Sequence, residues 1–321
     1  FGRFDEDYSL SIQNSFAHIP VVNRYANLLQ KLLEELEFTD IIKNEKQFKI
    51  VPTHDIDYLY FYNSFSVFFQ RFYKCIFKYK NFPQALKETQ NYLRVLLHVK
   101  KDPYDTFDEI MQLSEKNKFT SYFFFIASNH SKYDQDYNIN SSKIKDQIKN
   151  ILDRGHQVGL HVGYDSFNNK ELLSKEFQTM KQLVPELSFS RQHYLRFDMS
   201  ITPTLLNDIG LKWDSSIGFS KHIGFRSGSC YPYHLFDIHK REKLSIQEKP
   251  LVVMDTALAS IANTSSIENA KTQFFELVKN VKQEDGEFII LWHNSSFHMD
   301  KWPEIAEIYK EFISTISPYS L

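Results

Sequence analysis

Residues 51–58 read Val-Pro-Thr-His-Asp-Ile-Asp-Tyr, VPTHDIDY. An apolar segment, 48–52, runs straight into two aspartates, Asp55 and Asp57, one residue apart. Carboxylates at the C-terminal end of a strand can divide labour, one holding a metal and the other moving a proton. Aspartate is also common wherever a strand ends in a turn. The pair therefore takes its weight from three later stretches: GHQVGLH at 155–161, RQHYLRF at 191–197 and IILWHNSSF at 289–297. By alternation along a strand, His54 faces the side opposite Asp55.

Around these stretches the chain alternates between helix and strand. Apolar spacing predicts helices over 104–118, 142–154, 170–184, 202–209, 266–282 and 302–313. Strands are predicted over 119–126, 157–160, 187–194, 211–214, 251–254 and 288–292. Such repeats imply a parallel sheet, and the motifs fall where a β/α barrel builds its active site, at the C-terminal ends of strands. The expected architecture is α/β, a distorted (β/α)7-type barrel over residues 46–321 with an N-terminal helical extension over 1–45. A helical insertion occupies 58–100. Its first part, 58–79, is amphipathic and aromatic, with Arg71, Lys74 and Lys78 among the rings; packing over the core or cleft suits it better than contact with a membrane surface. Polar residues 133–140 read as a loop, and 219–241 as a long structured loop beside the site.

Bulk properties narrow the classes. The chain has 321 residues, is 42% hydrophobic and 24% charged, and suits a soluble globular protein. A net charge of −2 gives no pull toward nucleic acid. Two cysteines, Cys75 and Cys230, exclude a disulfide framework and a Cys-rich zinc site. Neither marks a cysteine hydrolase, and no GxSxG elbow occurs. No window approaches the roughly 18 apolar residues of a spanning helix. The first residue, Phe1, reads as a fragment or processed start, so the compartment stays open, with the cytoplasm favoured over export. Oligomeric state is not legible.

Taken in order, the motifs resemble the polysaccharide deacetylase family (NodB-homology domain, carbohydrate esterase family 4-like) over roughly residues 48–295. By that resemblance Asp55 is the general base and Asp57 a metal ligand. His161 is the first histidine ligand. Four residues later, where the family carries its second histidine, stands Asp165; it is taken as the third ligand, since carboxylate oxygen binds zinc. His193 or a water is the alternative. Arg191 orients Asp55 and lowers its pKa, and His193 replaces the family's usual proline. The Tyr194 amide faces the developing oxyanion. His293 is the general acid, oriented by Asp214 or Asp255, with Asp214 preferred. His156 is read as a structural hydrogen-bonder.

The resemblance implies a bacterial hydrolase of carbohydrate metabolism that depends on a divalent metal, zinc first and cobalt or nickel next. Its substrate would be an N-acetylated (or O-acetylated) polysaccharide or glycan precursor. An amide resists water, so attack at neutral pH needs a metal to ionise the nucleophile, and the leaving amine needs an acid such as imidazole. Two other readings stay open: a C–N hydrolase for small non-sugar amides, and an inactive glycan-binding module suggested by the missing second histidine.

Overall fold

Strand β1, Lys49–Ile56, lies near the centre of the sheet. It is buried from its second residue to its last and pairs in parallel with a strand on either side. The computed structural model describes residues 2–38, 46–62, 64–128, 130–134, 137–298 and 303–316. The expected boundary after residue 45 and the helix start at Trp302 abut or lie in stretches outside these residues. The other strands are β2 Tyr122–Ile126, β3 Gln157–Val162, β4 Phe189–Gln192, β5 Trp213–Asp214, β6 Tyr233–Asp237, β7 Glu242–Glu248, β8 Leu251–Met254 and β9 Glu287–Leu291. They form one strongly curled sheet in the order β6-β7-β5-β4-β3-β2-β1-β9-β8. All neighbours run parallel except β6 and β7. This is the expected distorted β/α barrel, left open between β6 and β8 among the described residues.

Helices α1 Leu10–Gln13 and α2 Val21–Glu35 precede the barrel, and α3 Phe65–Tyr73 and α4 Phe82–Leu96 follow β1. The crossover helices are α5 Phe107–Lys116, α6 Ser142–Asp153, α7 Lys170–Leu183, α8 Thr202–Asp208, α9 Asp255–Thr264 and α10 Ile267–Gln283; α11 Pro303–Thr315 follows β9.

The core has two layers, sorted by the two-residue period of the strands. On β2, Phe123 and Phe125 face outward to Phe107 of α5, while Phe124 faces the barrel interior with Phe189. On β1 the same alternation turns Thr53 and Asp55 inward. His54 points outward, its Nδ1 2.7 Å from the carbonyl of Trp292. Burial pushes His54 down to about 3, so it sits neutral in that layer.

Gly159 of β3 is where the inner layer is tightest. A Cβ there would lie 2.3 Å from the ring of Phe189, which stacks on Trp213 at 4.6 Å. The second glycine of the GHQVGLH stretch is thus a packing requirement.

Three expectations change. Within 219–241 the chain forms β6, which pairs antiparallel with β7. On β7 the buried positions are Leu244, Ile246 and Glu248, a two-residue alternation masked by the charged residues between them. Helix α9 begins at Asp255 directly after β8, with no loop to announce it. The insertion does not pack its aromatic stripe over the core. Helix α3 continues through a π-helical turn, Lys74–Lys78, and Phe65, Phe69, Tyr73 and Phe77 stay 52–63% exposed. The α3–α4 hairpin closes on itself through Phe68 stacked on Tyr92 at 4.3 Å and Arg71 paired with Glu88 at 3.5 Å. Its base is tied to the barrel rim by Asp102, whose carboxylate accepts the amides of Phe61, Tyr62 and Tyr104 at 2.7–2.9 Å. Among the described residues no helix is long and apolar enough to cross a membrane.

Candidate metal centre

The C-terminal ends of β1, β3, β4 and β9 open into one cleft of about 240 Å³. Asp55, Asp57, His161, His193, Tyr194 and His293 line it together with Tyr58 and Tyr133. Of the eight residues expected at the site, the structure brings six near one another and leaves two, Asp165 and Asp214, elsewhere.

Asp57, just beyond the end of β1, is the hub. Its Oδ1 lies 3.3 Å from His161 Nε2 and 3.6 Å from His193 Nε2. One donor atom from each of these three residues falls within 4.8 Å of the others. Donors held about 2.0–2.1 Å from a tetrahedral zinc sit roughly 3.3 Å apart, so this spacing fits. The hydrogen bonding fits as well. His161 Nδ1 donates to the Arg191 carbonyl at 2.9 Å, and His193 Nδ1 to Asp134 Oδ1 at 3.2 Å. Each bond leaves an Nε2 lone pair facing Asp57, whose buried Oδ1 accepts no hydrogen bond from the described residues. Three electron-pair donors converging without a proton donor suit a cation. Burial works against charge on Asp57, but His193, His161 and His293 outweigh it and hold the carboxyl well below its usual range. His161 moves the other way and is raised, since Asp55 and Asp57 overcome the burial that opposes its charge.

The expected third position, Asp165, stands outside this cluster. After Val162 the chain turns, with the Ser166 amide bonded to the Gly163 carbonyl at 3.0 Å. That turn carries Asp165 outward, 54% exposed and 3.5 Å from Arg196. Residues four apart share a face where the backbone is helical, and here the backbone is a turn. His193, the residue that replaces a proline in the resemblance, takes the place instead. It follows β4, one strand beyond β3, and sequence reasoning kept it as an alternative. Asp134, its carboxylate partner, was missed. The surrounding stretch looked like an ordinary polar loop, and only its proximity to His193 and its bond from the Tyr164 amide, 2.7 Å, mark it out.

Behind the cluster, Arg191 is fully buried on β4. Its Nη1 donates to Asp55 Oδ1 at 2.9 Å and to Thr53 Oγ1 at 2.8 Å. Its other nitrogens reach the carbonyl and hydroxyl of Ser215 at 2.7 and 3.0 Å. The second Asp55 oxygen lies 3.6 Å from His161 Nε2. Tyr194 follows in a left-handed backbone conformation, φ 59°, with Leu195 at φ 54°. Such strain in non-glycine residues gathers at functional loops.

On the opposite wall, His293 follows β9. Its Nδ1 lies 2.9 and 3.0 Å from the two oxygens of Asp255, and its backbone amide donates to the same carboxylate at 2.8 Å. Its Nε2 points to Asp57 Oδ2 at 3.6 Å. Burial opposes the charged form, but Asp255, Asp57 and Asp55 outweigh it and push His293 up to about 10. Asp255, not the preferred Asp214, is therefore the partner. Strand β8 is the neighbour of β9, whereas β5 lies across the sheet beyond β1. Asp214 instead accepts the Ser190 hydroxyl at 2.6 Å. His156 accepts the Ser121 amide at 3.1 Å, away from the cleft.

A solved structure from Mycobacterium smegmatis, described as a candidate polysaccharide deacetylase, has a similar fold: TM-score 0.51, with 14% identity over 86% of this chain and 87% of that one. No protein-family model and no curated protein matches the chain.

Proposed function

We propose that this chain is a metal-dependent hydrolase that removes acetyl groups from an N-acetylated glycan. The observation that supports it best is the convergence in one cleft of a His-His-Asp cluster, an arginine-held carboxylate and a carboxylate-held histidine. Asp57, His161 and His193 would hold the cation. When bound, such a cation supplies Lewis acidity, polarising the acyl carbonyl and making water a better nucleophile near neutral pH.

The chain's own groups then take these parts. Asp55, fixed by Arg191 through one oxygen, uses the other to take the proton of the attacking water. The Tyr194 amide donates to the oxygen of the tetrahedral carbon as it gains charge. His293, its Nδ1–H held by Asp255, delivers a proton from Nε2 to the departing amine. Each proton-transfer group of this kind contributes about 100- to 10,000-fold. With Asp57 engaged as a ligand, His293 would feel less of the charge that raises it and would serve as an acid nearer neutral pH. Tyr58, Tyr133 and Tyr194 line the mouth, and aromatic faces suit sugar rings better than small amides do.

Acetate release tests this reading, measured on chito-oligosaccharides and on a panel of small amides, with and without added zinc or cobalt. Metal-stimulated release from the oligosaccharides, lost in Asp55→Asn with metal content unchanged, supports it. Release confined to small amides moves the substrate assignment. Glycan binding with no release at any metal loading overturns it.

A further inference from the structure

The helical hairpin that leaves β1 turns an apolar face to solvent. Phe65, Phe69, Tyr73 and Phe77 recur every fourth residue along α3 and its π-helical turn, so they form one stripe. Phe82, Leu86, Leu93 and Leu97 share one face of α4 and its cap, 47–69% exposed. With ~100 Å² exposed on each, these side chains make a patch of roughly 800 Å², above the roughly 300–600 Å² of the largest patch on an ordinary monomer. The inner faces of the hairpin are already closed by Phe68, Tyr92, Arg71 and Glu88, so the outer stripe is not a displaced core.

Charge says what the face meets. Between Ser64 and Lys101 there are eight Lys and Arg residues and one acidic residue, Glu88, in a chain whose net charge is −2. The one acid is buried against Arg71, so the exposed charge of the hairpin is positive throughout. Lys74, Lys78, Lys87 and Arg94 are interleaved with the aromatic and leucine positions, and their long stems can lie along apolar surface while the head stays wet. A second copy would bring two positive faces together. Crossing a bilayer is excluded by length, since α4 has 15 residues and a span needs about 20. A basic face with an aromatic and leucine edge is the pattern of a helix lying in a membrane interface.

We propose that the hairpin over 64–101 docks on the surface of an anionic lipid bilayer, its ring and leucine stripe at the acyl boundary and its cations against headgroup phosphates. The hairpin leaves the barrel at Tyr58, which lines the cleft, so docking holds the cleft beside the bilayer surface.

The test is sedimentation of the full chain with vesicles of phosphatidylcholine alone and of phosphatidylcholine mixed with phosphatidylglycerol, at low and high salt. The chain is expected to partition onto the mixed vesicles and to leave them as salt rises. Lys74→Gln with Lys78→Gln should weaken binding roughly 25-fold, about fivefold per cation. Phe69→Ser with Phe77→Ser should weaken it by at least about tenfold, with an unchanged circular dichroism spectrum, since both rings are exposed. No preference for the anionic vesicles overturns the proposal, as does equal partition of wild type and the double serine variant. A salt-stable dimer in the ultracentrifuge, lost in that variant, also overturns it and gives the face to a second copy. No turnover is measured, so failure here leaves the hydrolase reading untouched.

Discussion

Nδ1 of His193 lies 3.2 Å from Oδ1 of Asp134, and this bond leaves Nε2 of His193 facing Asp57. His193, read from the sequence only as an alternative ligand, and Asp134, which the sequence did not mark, thus complete the cluster. Metal content read by plasma mass spectrometry gives the first prediction. His193→Ala should lose the metal, and Asp165→Ala should keep it. Asp134→Asn should keep the fold and weaken metal affinity about 10- to 100-fold, as removal of a ligand's carboxylate partner usually does. Loss of metal in Asp165→Ala with retention in His193→Ala would reverse the assignment.

Asp255 and His293 form a second pair. Asp255→Asn should lower kcat for acetate release by about 100- to 10,000-fold, because the wrong tautomer then faces the cleft. KM should change little. Loss of kcat in Asp214→Asn with activity retained in Asp255→Asn would show that β5 rather than β8 serves the histidine.

Asp214 makes a pH prediction instead. Burial pushes its carboxyl up to about 6, against hydrogen bonds from Ser190 and Ser216 and attraction to Arg191. An unfolded aspartate titrates near 3.9. Below about pH 4 both states are protonated and the protein keeps its full stability. Between about pH 4 and 6 the unfolded state ionises first, so stability falls as pH rises, by on the order of 3 kcal/mol. Asparagine cannot ionise. The thermal midpoint of Asp214→Asn should therefore match wild type near pH 4 and exceed it near pH 7. A gap that stays constant across that range would mean that Asp214 is already charged in the fold.

Gly159 tests the inner layer. Gly159→Ala places a methyl 2.3 Å from the Phe189 ring, which cannot move without leaving Trp213. Overpacking of this kind costs about 1–3 kcal/mol. Thermal unfolding should show the loss, and a midpoint equal to wild type would mean that the layer is looser than the geometry implies.

What the amino-acid order determined by itself was local. Apolar runs ending in Asp55 and Asp57, in His161, in Arg191 and in His293 marked strands and the residue types at their ends. The repeated helix–strand pattern implied a parallel sheet, which places such ends on one side. The β6–β7 pair was overlooked because charged residues hide its alternation, and α9 because it starts with no connecting loop.

What only the tertiary structure decided was adjacency. Spacing along the chain cannot tell whether β5 or β8 lies beside β9, so it could not choose between Asp214 and Asp255. Nor can it tell that the backbone after Val162 turns Asp165 away while β4 delivers His193 next to His161. Periodicity on α3 announced an apolar stripe, but a stripe records only that a face suits apolar surroundings. Which face the fold leaves outward depends on how the hairpin closes on Phe68 and Tyr92, and those contacts exist only once both helices are in place.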